Sequence, residues 1–303
     1  MVGSPIAFFF EEFMRIFFTL LFVLCAAPLF AQSTRFAFLK SNFEPLLADP
    51  KETRIAVLTH LNDTGLLLDI GASLDLLQVD VGQDSLHFST FGFGADFGTF
   101  SLLRRLDAFK FPVDAADYIF GINISWRSPL QTSAFPLTIS GRLRLSHISA
   151  HLIDGSFDLD RLQWREGRLP FTFSREFIHL TLALSSSFGR VYLGYEWLFN
   201  TVPVDVARHS AQAGLEVFMP LRILIAFAPF LACDVRLSPI WRAQLGRTEG
   251  YGTTLSFQAG IKTGDFGARG VRLTYHYYTG LSWRGMYFGE SVNVSAIGLM
   301  MDF

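Results

Sequence analysis

His147 and Ser149 stand two positions apart in the stretch Arg142 to Asp154. On an extended strand that spacing puts both side chains on one face, with their α-carbons about 7 Å apart. An imidazole in that place can accept the serine hydroxyl proton and so turn the oxygen into a nucleophile toward an ester. Such a pair works best when a third group orients the imidazole, and Glu176 is the candidate because it opens the next apolar-alternating segment in phase with Ile178, Leu180 and Leu182. The chemistry indicated is acyl-ester hydrolysis. No metal and no cofactor is expected, since metal-ligand spacings, phosphate-binding glycine loops and cofactor motifs do not occur. The same residue types also suit a structural place at the polar end of a strand, where a bulge can redirect them.

The elements that must position these residues are strands. In the segment 117–126, Tyr118, Phe120, Ile122, Ile124 and Trp126 share one face, while Asp117, Gly121, Asn123 and Ser125 share the other. In the segment 190–199, Val191, Leu193, Tyr195, Trp197 and Phe199 oppose Arg190, Tyr192, Gly194 and Glu196. A period of two with charges on one face and aromatics at the ends of the other fits a wall between lipid and a polar lumen. About twelve such segments recur, near 54–61, 66–79, 86–100, 117–126, 135–152, 176–185, 190–199, 208–219, 223–237, 251–262, 270–279 and 287–303. The fold class expected is therefore all-β: an antiparallel transmembrane β-barrel over residues 54–303. Short connections such as Ser186 to Gly189 and Met219 to Arg222 read as periplasmic turns. Long ones at 101–116, 153–173 and 238–250 read as extracellular loops.

On the segment 135–152 the outward phase carries Phe135, Leu137, Ile139, Leu143 and Leu145, and continuing it puts His147, Ser149 and His151 toward lipid near the outer leaflet. The inward phase of this and other segments supplies Arg142, Arg144, Arg190, Glu196, Asp234, Arg236, Lys262 and Arg272 as lumen-lining charges. They suit either a narrow small-solute pore or a lumen filled by salt-bridged side chains.

Composition alone leaves the class open. Half of the 303 residues are hydrophobic and the net charge is −2. Basic residues are scattered singly, so no clustered footprint for nucleic acid exists. Met14-Arg15 followed by the apolar run Ile16 to Phe30 and the small residue Ala31 reads as a signal peptide over 1–31, and Glu11 and Glu12 suggest initiation at Met14. Beyond it, the nearest approach to a helical span, Ile223 to Cys233, is broken by Pro229 and bounded by Arg222. Cys25 lies inside the leader, which leaves Cys233 alone in the mature chain and no intramolecular disulfide to form. Residues 32–53 are assigned as an N-terminal segment on the periplasmic side, and the sequence leaves open whether it hangs there or plugs the lumen. The expected localisation is the bacterial outer membrane.

Several stretches resemble a bacterial family catalogued as domain of unknown function 1207: Phe43 to Pro50, Arg142 to Asp154, Arg190 to Gly194 and the closing Met286 to Phe303. Residues 147–155 are similar to that family's His-Gln-Ser-Ser-His-Leu-Gly-Asp-Glu motif and depart from it at Ile148, Ala150, Ile153 and Gly155. The pair His147 and Ser149 also resembles the His-x-Ser of outer-membrane phospholipase A and of lipid A deacylases. That resemblance implies a lipid substrate met from the side. The terminal Phe303, in phase with Met301, Leu299 and Ile297, resembles the signal read by the barrel assembly machinery. The partners implied are outer-membrane lipid and that machinery. An envelope structural or interaction role is the first functional expectation, with a lipid-face hydrolase and a narrow pore as alternatives.

Overall fold

The structure, a computed structural model, describes residues 33–302 apart from 83–87, 131–135, 204–205, 220–226, 243–245, 265–266 and 268. The leader 1–31 and Phe303, with the readings placed on them, lie outside the described residues. Among the described residues the main sheet has thirteen antiparallel strands: β1 Ser33–Lys40, β2 Ile55–His60, β3 Gly65–Gly82, β4 Phe88–Arg104, β5 Val113–Leu130, β6 Leu137–Leu152, β7 Phe173–Ser186, β8 Gly189–Val202, β9 His209–Phe218, β10 Phe227–Arg242, β11 Arg247–Thr263, β12 Gly270–Leu281 and β13 Ser291–Asp302. Each of β2 to β13 pairs with its neighbours, and β13 returns to β2, so twelve strands close into a barrel. Closure removes the free sheet edges that a bilayer would not tolerate.

The period-two pattern is the cause of the closed form. Outward positions such as Phe120 and Leu193 are 54% and 68% exposed, while the alternate positions turn inward and are buried. A soluble sandwich would bury the apolar face; here the buried face is the charged one. The strand phases expected from sequence hold through β5, β6, β8 and β13. One connection differs: 238–250 is not a long loop, because β10 and β11 continue to Arg242 and restart at Arg247. Pro239 sits at a register shift between Pro239 and Trp241, an irregularity at which a strand tolerates proline.

The first wall strand is split. β1 pairs with β3 at Leu74 to Asp80 and β2 pairs with β3 at Leu66 to Asp69, so the two are halves of one strand, and residues 41–54 between them leave the wall. Those residues fold into the lumen, where Phe43, Leu46, Ala48, Asp49 and Glu52 are all buried. Residues 33–53 therefore contribute half a wall strand and a plug.

The opposite end is covered as well. Residues 282–290, between β12 and β13, turn inward so that Met286 packs among Phe100, Ile119, Ile148 and Phe173. Arg284 donates to the carbonyls of Phe100 and Ser101, and the Gly285 amide donates to Asp117 at 2.8 Å. A Cβ at Gly285 would stand 2.5 Å from that of Ala150, so glycine is what lets this loop approach the wall.

Candidate functional site

Two clusters of polar side chains lie on opposite faces of the same wall. On the outer face, β6 and β7 pair so that His147 stands opposite Glu176 and Ser149 opposite Ser174. His147 Nδ1 and Glu176 Oε1 are 2.6 Å apart, and Ser174 Oγ donates to the same carboxylate oxygen at 3.0 Å. A carboxylate accepts, so Nδ1 carries a proton, and in the neutral ring Nε2 then presents a lone pair. That is the tautomer in which an imidazole serves as a base.

Ser149 shares the outward face of β6 with His147, and its hydroxyl makes no hydrogen bond among the described residues. On the other side of β6 it pairs with Tyr118 of β5. The Phe120 ring lies 4.8 Å from the His147 ring, and Tyr118 lies 5.9 Å from His151. Below this level the outward positions are Leu143, Leu145, Ile178, Leu180, Leu182 and Leu184. The wall thus changes from aliphatic to polar at His147 and Glu176, with the exposed aromatics Tyr195 and Trp197 at neighbouring heights on β8. This is the pattern of an interfacial girdle.

On the inner face all eight charges expected from sequence point into the lumen and are buried. Arg142 forms a two-pronged pair with Glu52, at 2.9 and 2.7 Å. Arg144 also bonds Glu52 and meets Asp96 at 3.4 Å. Arg190 pairs with Glu216 at 2.6 Å and donates to the carbonyls of Glu44 and Pro45. Arg236 bridges Asp49 at 3.1 Å and Glu196 at 3.2 Å. Lys262 and Arg272 share Asp302, at 2.6 and 3.0 Å. Asp234 accepts from the Tyr192 hydroxyl and from Gln212. Each of these eight charges has a partner, and the plug supplies several of them: Glu52 for Arg142 and Arg144, Asp49 for Arg236 and two carbonyls for Arg190.

The plug divides the interior. A cavity of about 540 Å³ lies at the turn end beside Asn42, Glu44 and Ser185 to Ser187. A second, of about 110 Å³, lies at the loop end beside Pro50, Lys51, Trp283 and Phe288. The sequence reading did not include Asp49 and Glu52 as counter-charges. Their segment has no period to declare a direction, and its signal was three acidic residues, Glu44, Asp49 and Glu52, among prolines and apolar residues just ahead of the alternating stretch 54–61. Among the described residues no cluster of His, Cys, Asp and Glu could hold a metal ion. No helix among them is long and apolar enough to cross a membrane.

No curated protein matches the sequence. Solved structures with similar outlines are barrels. OccAB1 of Acinetobacter baumannii is 9% identical, with 89% of this chain and 73% of that one covered at a TM-score of 0.35. The translocator domain of the autotransporter NalP from Neisseria meningitidis is 12% identical, with 84% and 91% covered at a TM-score of 0.34. The β domain of the Bordetella autotransporter Brka is 11% identical, with 82% and 96% covered at a TM-score of 0.35. The closed ring rests on its own strand pairing. Residues 38–303, which include the end of β1, the plug and strands β2 to β13, match the family model described as protein of unknown function (DUF1207), and the chain belongs to that family.

Proposed function

We propose that this protein is an outer-membrane hydrolase that cleaves acyl esters of phospholipid or lipid A at the lipid-facing wall of its barrel, with the loop end outward. The observation that carries the proposal is the 2.6 Å contact between His147 Nδ1 and Glu176 on the outer face, beside the unengaged hydroxyl of Ser149. An ionisable pair facing lipid is costly and has no packing task there, so a functional role is its default interpretation. The plugged lumen also favours the outer wall over conduction, because an open pore would need the space that residues 41–54 occupy.

The roles follow from the geometry. A lipid diffusing along the wall brings its ester bonds to the interfacial level at which β6 and β7 turn polar. Rotation of Ser149 toward His147 lets Nε2 take the hydroxyl proton while Oγ attacks the ester carbonyl. The tetrahedral adduct expels the alcohol portion of the lipid, which takes the proton back from His147 and leaves Ser149 acylated. Water, deprotonated by the same imidazole, then releases the fatty acid and restores the serine. Glu176 holds the ring and stabilises its cationic form, and Ser174 fixes the carboxylate.

The test uses refolded full-length protein whose folding is verified by a heat-dependent shift in gel mobility. Wild type and Ser149→Ala are given labelled phospholipid and lipid A, with and without calcium, and fatty-acid release is followed. Release by wild type that is lost in the variant supports the assignment. Equal release by both, or none above protein-free membranes from folded wild type, overturns it in favour of a structural role for this cluster.

A further inference from the structure

We infer that the loop-end cavity is a binding site for a short monocarboxylate, held by Arg175. Alternation on β7 sends Glu176 and Ser174 to the outer wall and Arg175, between them, into the lumen. There it is 5% exposed and lines the 110 Å³ cavity. Its guanidinium carbon lies 4.7 Å from the centroid of Phe173 and 5.0 Å from that of Phe288, two rings whose centroids are 5.5 Å apart and which therefore lie to one side of the cation. Its five N–H donors lie in the plane, and one of them reaches the Pro203 carbonyl at 3.5 Å.

Among the described residues no carboxylate comes within ion-pairing distance of Arg175, in contrast to the buried arginines Arg54, Arg142, Arg144, Arg190, Arg236 and Arg272. The acid nearest in role, Glu196, is already shared by Arg236 at 3.2 Å and Lys51 at 3.9 Å. Arg284, a further buried cation near this end, is satisfied by two backbone carbonyls. A buried cation whose in-plane donors lack an anion is costly unless something supplies one. The planar fork of a guanidinium matches the two oxygens of a carboxylate.

The cavity defines the rest of the ligand. Its volume is below the roughly 150 Å³ that admits a benzene ring in an apolar protein cavity, which favours a body of two to four carbons. Phe177, Leu198, Leu281 and Trp283 line it and would receive an aliphatic tail. One unpaired cation calls for a monoanion, not a phosphate dianion.

Propionate and its neutral isostere propionamide separate charge recognition from simple cavity filling. Folded full-length protein is titrated with each at constant ionic strength. Tryptophan fluorescence, to which Trp283 contributes, and the temperature of the heat-dependent mobility shift are both followed. Wild type should show a saturable response to propionate with a Kd of about millimolar, as expected of so few atoms, and none to propionamide. Arg175→Met, which keeps the side chain's length without its charge, should bind propionate roughly tenfold to a hundredfold more weakly. If folded wild type does not saturate, if propionamide acts like propionate, or if folded Arg175→Met binds as wild type does, the site does not exist. Should the variant fail to fold, the comparison of the two ligands on wild type decides alone. This outcome is independent of ester hydrolysis on the outer wall.

Discussion

Changing Glu52 to Gln tests whether the plug is held by charge. The Glu52 carboxylate is bonded by Arg142 through both oxygens and by Arg144. When it becomes an amide, Arg144 keeps Asp96 at 3.4 Å, whereas Arg142 keeps only the face of Phe43 at 4.6 Å. One buried guanidinium is then left without a counter-charge, which typically costs about 3–5 kcal/mol. The amide oxygen of Gln can still accept one hydrogen bond, so the lower figure is appropriate. About 3 kcal/mol shifts the equilibrium between seated and released plug by roughly a hundredfold. Planar bilayers read this as brief conductance steps that are rare in wild type and frequent in the variant, and the heat-dependent mobility shift should occur at a lower temperature. Adding Arg142→Met to Glu52→Gln removes the orphaned charge and should restore quiet traces. Glu52→Gln protein that is as silent and as heat-resistant as wild type would refute the electrostatic anchoring of residues 41–54.

Three further outcomes are expected. Replacing residues 41–54 with a linker of roughly four residues, enough to span the β3 positions 70–73 between the two half-strands, should leave a folded barrel that conducts constantly; a silent folded variant would show that side chains alone close the lumen. Burial pushes the Glu52 carboxyl up, but Arg142 and Arg144 outweigh it and hold the group at about 2, below its ordinary 4.5. Asp49 is likewise held below the carboxylate range against its burial, chiefly by Arg236. Folded-state values below the unfolded ones mean that this anchoring is complete above pH 4.5 and is lost as pH falls toward 2, so conductance should rise only in that window; opening near pH 6 would implicate other groups. Glu176→Gln keeps the side chain's shape but removes the charge behind His147, and should lower ester turnover roughly 10²- to 10⁴-fold with folding unchanged. Turnover at the wild-type rate would take Glu176 out of the mechanism.

The wall was legible because each strand repeats one instruction. The alternation in 117–126 and 190–199 fixes which side chains face lipid, and closure of the ring follows from having no edge to leave unpaired. The inward charges were legible for the same reason, as was the facing of His147 and Glu176, since antiparallel pairing carries an outward phase from one strand to the next. The plug was not. Residues 41–54 have no period, and the partners of Glu52 lie on β6, far along the chain, so only the closed ring brings them together. Arg175 was missed for a local reason: the alternation in β7 becomes obvious only from Glu176 onward, while the strand begins at Phe173. Glu216 lay within a recognised segment, and its even phase among the inward positions of β9 would have declared it as the partner of Arg190.

The most direct measurement of the proposed chemistry is covalent capture of the nucleophile. Folded wild type in mixed phospholipid micelles is treated with a long-chain fluorophosphonate, which phosphonylates a serine only when a base has activated it, and the adduct is mapped by peptide mass spectrometry. Activation of Ser149 by the imidazole whose Nδ1 lies 2.6 Å from Glu176 predicts one adduct on Ser149, lost in folded His147→Gln protein. No adduct on folded wild type, an adduct on Ser174 instead, or labelling of Ser149 that persists without His147 would contradict a hydrolytic site on this wall.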